Sequence, residues 1–96
     1  MQEPENTWSV YILRCADGSL YTGIAKDTAR RLQQHNRGVG AKYTRSRRPV
    51  ELVYRTSCAS RSEALSREYA IKQMSVRQKR EMIDTYRDAG ATLAPT

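Results

Sequence analysis

No apolar run in this chain approaches the roughly 20 residues that a membrane-crossing helix needs, so no membrane partner is expected. Two cysteines, Cys15 and Cys58, are too few for a disulfide framework, and one histidine leaves no Cys/His cluster with zinc spacing. These scarcities point to a reduced, cytoplasmic protein. The opening stretch Met1-Gln2-Glu3-Pro4-Glu5-Asn6 is polar and acidic, unlike a secretory signal. Ser57, Ser60 and Ser62 have no histidine near them in sequence, so a hydrolytic triad has no support. Acidic residues are also in deficit: 10 against 17 Lys and Arg, a net charge of +7. The basic residues are dense from Arg30 to Arg48 and again from Lys72 to Arg80. That balance favours a polyanion, nucleic acid above all, bound with counterion release. The plainer reading is that the charge keeps a small protein soluble.

A chain of 96 residues is expected to form one domain with a modest core about two layers thick. The domain is placed at 8–90, with loose tails over 1–7 and 91–96. Trp8 to Leu13 reads as a strand, apolar on both faces and therefore covered on both sides or nearly so. Cys15-Ala16-Asp17-Gly18-Ser19 holds turn residues, and Leu20 to Ala25 is the second strand. Pairing Arg14 with Leu20 sets Leu13 against Tyr21 and Tyr11 against Gly23. Both tyrosines then share a sheet face, and Gly23 leaves space beside Tyr11 where a substrate backbone could approach. A slip of one residue would separate them.

Asp27 is a fitting N-cap for a helix over about Thr28 to Asn36, ending near Gly38. Arg31 and His35 share one side of it. Gly38 to Arg48 reads as a basic loop, and Val50 to Thr56 as a third strand. Ser60-Arg61-Ser62-Glu63 and Ser75-Val76-Arg77-Gln78 are capping boxes. The first opens a helix with Ala64, Leu65 and Ile71. The second opens one with Val76, Ile83 and Tyr86 on a stripe and Gly90 past its end. The order ββαβαα implies an α+β fold, a three-stranded sheet flanked by helices.

Glu68 falls on the apolar stripe of its helix, where a carboxylate must be paired, hydrogen-bonded or bound to metal. It reads as half of an ion pair with Arg31 or another cation, or as a Mg²⁺ ligand completed by waters and phosphate. Tyr11 and Tyr21 are either ordinary strand aromatics or phenols able to relay a proton. Arg31 is either a solvated helix arginine or a phosphate clamp. His35 is either a surface histidine or an acid, base or phosphate donor. Lys42-Tyr43-Thr44-Arg45-Ser46-Arg47-Arg48 could grip a sugar-phosphate backbone, with Tyr43 stacking on an exposed base.

In order and spacing these residues resemble the GIY-YIG nuclease superfamily. Ser9-Val10-Tyr11 is similar to the first signature and Tyr21-Thr22-Gly23 to the second. Ala25-Lys26-Asp27, then Arg30-Arg31-Leu32 and His35, resemble the first helix, and Arg67-Glu68-Tyr69 the glutamate segment. Ala41-Lys42-Tyr43-Thr44 and Arg48-Pro49-Val50-Glu51-Leu52-Val53-Tyr54 are similar to the small, single-domain, YhbQ-like bacterial branch. The resemblance implies a GIY-YIG-like domain and cleavage of phosphodiester bonds, with DNA favoured over RNA as the substrate. It implies that Tyr11 and Tyr21 orient or deprotonate water, Arg31 binds phosphate and Glu68 holds Mg²⁺ or Mn²⁺. His35 joins the catalytic set, and Gly23, Lys26, Lys42, Tyr43, Arg45, Arg47 and Arg48 the nucleic-acid contacts. The chain departs from the pattern at Ser9, Thr22 and Ile24, and has no asparagine after Glu68. The expected activity is endonucleolytic, on structured, branched or damaged DNA, with a role in repair or recombination. A non-catalytic nucleic-acid-binding module and a protein-interaction adaptor are the competing readings.

Overall fold

Trp8–Arg14 forms β1, and everything from Ser9 to Leu13 is buried. A strand apolar on both faces belongs in the middle of a covered sheet, and the computed structural model, which describes residues 7–93, places it there. The sheet order is β2-β1-β3, with both neighbours antiparallel to β1. β2 is Leu20–Ala25 and β3 is Glu51–Cys58. Gly18 takes φ +85° in the β1–β2 turn, a left-handed conformation that suits glycine. The Asp17 carboxylate accepts from the Ser19 N–H at 3.0 Å, which tightens the same turn. The turn fixes the register: Arg14 pairs with Leu20, Leu13 with Tyr21 and Tyr11 with Gly23, as expected.

α1 is Thr28–Asn36; the Asp27 side chain caps it by accepting from Arg30 N at 3.0 Å. Gly38, at φ +85°, follows its end. The stretch expected as a loop to Arg48 contains a one-turn helix, α2, at Lys42–Arg45. It forms because Ala41's carbonyl accepts from both the backbone and the hydroxyl of Thr44. β3 starts one residue later and ends two later than expected. Val50 just before it is fixed by Asn36, whose amide both donates to and accepts from the Val50 backbone. A bulge at Ile12/Leu13 leaves Val53 as the extra residue and turns it into the core.

α3 is Arg61–Lys72 and α4 is Val76–Leu93. Both capping boxes form: Ser60 Oγ accepts from Glu63 N, and Ser75 Oγ from Gln78 N, each at 3.1 Å. α4 runs through Gly90 instead of stopping before it; one glycine costs a helix about 1 kcal/mol and does not end it. Of the expected tails 1–7 and 91–96, residues 1–6 and 94–96 lie outside the described residues, and 91–93 belong to α4. α3 and α4 cover one face of the sheet through Ala64, Ile71 and Ile83 against Val10, Ile12 and Cys58. α1 covers the other through Leu32, beside Tyr11, Leu13 and Ala25. The domain therefore has three layers, not two. Leu65 and Val76, expected on apolar stripes, are exposed, because Ala64 and Ile71 set the contact line of α3 and Val76 is the first residue of α4.

Candidate active site

The register places Tyr11 and Tyr21 on one face, with ring centroids 6.4 Å apart. Gly23 lies between them. A Cβ there would come within 2.7 Å of the Tyr11 hydroxyl and 3.2 Å of the Tyr21 ring. The space expected for a substrate backbone is thus filled by the Tyr11 phenol itself. Gly23 is buried and makes room for a side chain of this chain, which corrects its reading as a nucleic-acid contact.

His35 is fully buried, which overturns the surface reading. Its Nε2 is 2.9 Å from the Tyr11 hydroxyl, and its Nδ1 is 2.7 Å from Thr44 Oγ1. Thr44 Oγ1 in turn donates to the Ala41 carbonyl at 3.0 Å. With that proton committed, Thr44 accepts from Nδ1–H, and Nε2 accepts from the Tyr11 O–H. We assign this tautomer from the network. The Ala41 N–H also points at Nδ1 from 3.4 Å, but it gains no hydrogen bond in this tautomer because Nδ1 carries the proton. Gly40 seals the ring, since a Cβ there would fall 2.5 Å from Nδ1. Burial, helped by the nearby Arg31 charge, holds the His35 pKa below its usual value, so the imidazole is neutral at pH 7.

Burial also pushes the Tyr11 phenol up to about 12. Tyr21 adds to the rise, Arg31 opposes it, and the Glu68 charge raises it further. Four residues from three elements therefore act on one hydroxyl. They meet at β2, an edge strand, where α1 approaches from one face of the sheet and α3 from the other. Arg31 is half-buried and also donates to Gln34 at 3.0 Å. Glu68 is only 19% exposed and pairs with Lys72 at 3.4 Å, so its cation partner is one helical turn away and is not Arg31. Lys72 also lines a shallow hollow with Leu20, Tyr21, Thr22, Tyr43 and Lys79.

Among the described residues no three His, Cys, Asp or Glu side chains cluster as a metal cage. That excludes a zinc-type site there. Mg²⁺ or Mn²⁺ needs no such cluster, since one carboxylate, water and substrate phosphate commonly hold it. Glu68 is the carboxylate whose charge reaches the Tyr11 phenol, and Lys72 is paired with it.

The basic loop divides in two. Lys42 and Arg45 are exposed and open to phosphate. Arg47 is not: it packs 4.0 Å over the Tyr43 ring, donates to the Tyr43 carbonyl and pairs with Asp17 at 3.1 Å. Arg48 donates to the carbonyls of Arg45 and Asn36, tying α2 to the end of α1. These two arginines therefore hold the loop together. Tyr43 stacks against Tyr21 with centroids 6.0 Å apart, so it roofs the second phenol before any base can stack on it. Lys26 lies over Trp8 at 5.6 Å, lining a different hollow. Sequence reasoning missed Gly40, placed Thr44 in a backbone-gripping loop and not against His35, and saw Lys72 and Lys79 only as part of a basic stretch. Lys72 carried one further signal, its i+4 spacing from Glu68.

Residues 7–81 match the GIY-YIG catalytic domain family. The UPF0213 protein of Desulfotalea psychrophila is 58% identical over 87 residues, covering 86% of this chain and 79% of the relative. That of Staphylococcus epidermidis is 60% identical over 74 residues, covering 77% and 90%. The solution NMR structure of a UPF0213 protein from Bacillus halodurans superposes with a TM-score of 0.57 at 40% identity, covering 94% of this chain and 99% of that one.

Proposed function

The chain belongs to the GIY-YIG superfamily, a nuclease-type family, in its small UPF0213, YhbQ-like branch, and from that premise we propose that it is a divalent-metal-dependent endonuclease for branched, flapped or damaged DNA. One observation carries the reading: the Tyr11 hydroxyl bonds to a neutral, buried histidine while Tyr21, Arg31 and Glu68 all bear on its charge. Structural cores rarely assemble so many ionisable groups around one proton.

Each residue then has a task. Nε2 of His35 takes the Tyr11 proton, and the phenol oxygen takes one from the attacking water. As it does, the water oxygen bonds to phosphorus, the P–O bond to the departing strand breaks, and the leaving oxygen takes its proton from solvent. Thr44 fixes the imidazole tautomer for that transfer. Arg31 holds a non-bridging phosphate oxygen and offsets the charge that develops there. A cation on Glu68 would supply further positive charge at the phosphate and acidify the water. Neutralising Glu68 also removes one of the influences that keep Tyr11 protonated. Tyr21, roofed by Tyr43, orients the water.

Incubation of the purified protein with branched, nicked and linear DNA tests the proposal. Cleavage of the branched substrate in Mg²⁺ or Mn²⁺, lost with EDTA, Glu68→Ala or Tyr11→Phe, is expected. Cleavage that survives both substitutions overturns it. The Glu68–Lys72 ion pair favours a second reading, a module that binds nucleic acid without cutting. That reading requires salt-sensitive binding and no product under any metal.

A further inference from the structure

The function proposed for the site leaves one group of cations without a task. Three arginines converge on a hollow of ≈ 360 Å³ between the β1–β2 turn and α4, lined by Arg14, Gly18, Leu20, Val53, Arg80, Ile83, Asp84 and Arg87. Leu20, Val53 and Ile83 give it an apolar floor. Arg14 is engaged by Glu51 at 2.8 Å. Arg80 and Arg87 are exposed and have no hydrogen bond or ion pair among the described residues. Asp84, the acidic residue of the lining, offsets one of the two.

This hollow adjoins the one beside Tyr21. Leu20 lines both, and Lys79, beside Arg80 on α4, lines the catalytic side with Lys72. Lys72 and Lys79 thus border the hollow beside Tyr21, and Arg80 and Arg87 border the one on the other side of Leu20. From Lys79 to Arg87 the helix advances about 12 Å at ~1.5 Å per residue, the reach of about three phosphates at the ~3.4 Å rise of one DNA strand. Guanidinium groups suit phosphate because their donors are fixed in a fork. On the opposite flank of the site stand the exposed Lys42 and Arg45 of α2.

We propose that the α4 face bearing Lys79, Arg80 and Arg87 is a phosphate track, holding the DNA backbone that flanks the cleavage point on the side away from α2. The proposal rests on the nuclease reading for the position of the cleavage point, but not for the binding itself. Charge complementarity selects the occupant: of the three acidic residues on this stretch of α4, Glu81 is paired with Arg77 and Asp88 is engaged, which leaves Asp84 against Lys79, Arg80 and Arg87.

The experiment measures affinity for a fluorescent flapped DNA against salt concentration. Arg80→Ala/Arg87→Ala is expected to weaken binding at least tenfold at low salt. The slope of log K against log salt should become shallower by about 1.8, two contacts at ~0.9 each. Arg77→Ala, on the same helix with its side chain 88% exposed and outside the hollow, is the charge control and should leave the slope nearly unchanged. Hydrolysis of bis(p-nitrophenyl) phosphate, too small to reach α4, should be equal in all three proteins. An unchanged slope in the double variant, or an equal loss in Arg77→Ala, overturns the track. If the wild type hydrolyses neither DNA nor the small ester while the slope still falls as expected, the nuclease reading fails and the track stands.

Discussion

Gly23→Ala is the sharpest single perturbation of this site. The added methyl would sit 2.7 Å from the Tyr11 hydroxyl and 2.8 Å from its Cζ, both inside the distance that real contacts allow. Tyr11 must retreat by about 0.7 Å to reach an ordinary 3.4 Å contact. Retreat toward solvent is blocked, since the ring is 1% exposed between α1 and the sheet. Moving the hydroxyl by that much disrupts the 2.9 Å hydrogen bond to His35, stretching it to at most about 3.6 Å. Overpacking and the lost bond together should cost about 1–3 kcal/mol of stability. If Tyr11 acts on the attacking water, a shift of about 1 Å should also slow cleavage about 100-fold. Urea unfolding gives the first quantity and single-turnover cleavage the second. Gly18→Ala is the reference: no atom lies within 4 Å of a Cβ there, so only its left-handed backbone is penalised. Its cost should be about 1 kcal/mol, with hydrolysis of bis(p-nitrophenyl) phosphate unchanged. A Gly23→Ala protein within about 0.5 kcal/mol of the wild type and with full cleavage would refute the account of why glycine stands there.

Three further outcomes are expected. The folded-state pKa of His35 lies below its usual 6.5, so the unfolded chain takes up a proton first as pH falls; the contribution is fully present above 6.5 and is lost below it. Urea midpoints from pH 7.5 to 5.5 should show a loss of up to about 1.4 kcal/mol at pH 5.5, one unit below the usual value, and His35→Gln should flatten that dependence. Glu68→Gln should lower the Tyr11 titration midpoint from about 12, because the carboxylate charge helps to hold it up; NMR of Cζ-labelled tyrosine reads the midpoint, and no movement would mean that the two groups do not interact. Ser60→Ala removes the cap of the helix that carries Glu68 and should cost about 1 kcal/mol in thermal unfolding, whereas a loss under about 0.2 kcal/mol would show the cap to be idle.

What the sequence disclosed was mostly what local chemistry decides. Asp17-Gly18 dictates a tight turn, and the turn dictates that Tyr11 opposes Gly23. Asp27, Ser60 and Ser75 announce three helix starts, because each satisfies a backbone N–H within its own first turn. Helical spacing alone put Glu68 at the edge of the buried face. What stayed hidden depends on partners brought close only by folding. Arg47 reads as a free cation until Asp17, thirty positions away, comes within 3.1 Å. His35 reads as a surface residue until α2 folds back and supplies Thr44. Gly23 reads as a vacancy until the length of the Tyr11 side chain is laid across it. Lys79 and Arg80 register only as net charge until α4 packs against β3 and aims them around Leu20.

The sealing of the solitary imidazole has one more consequence. Glycine walls it on one side, and a threonine whose own proton is spent on a carbonyl closes another. The phenol that closes the third side is itself 1% exposed, so acid and base in bulk solvent are kept from the ring on every side. Any proton the phenol hands to the imidazole is therefore held out of reach of the surrounding water.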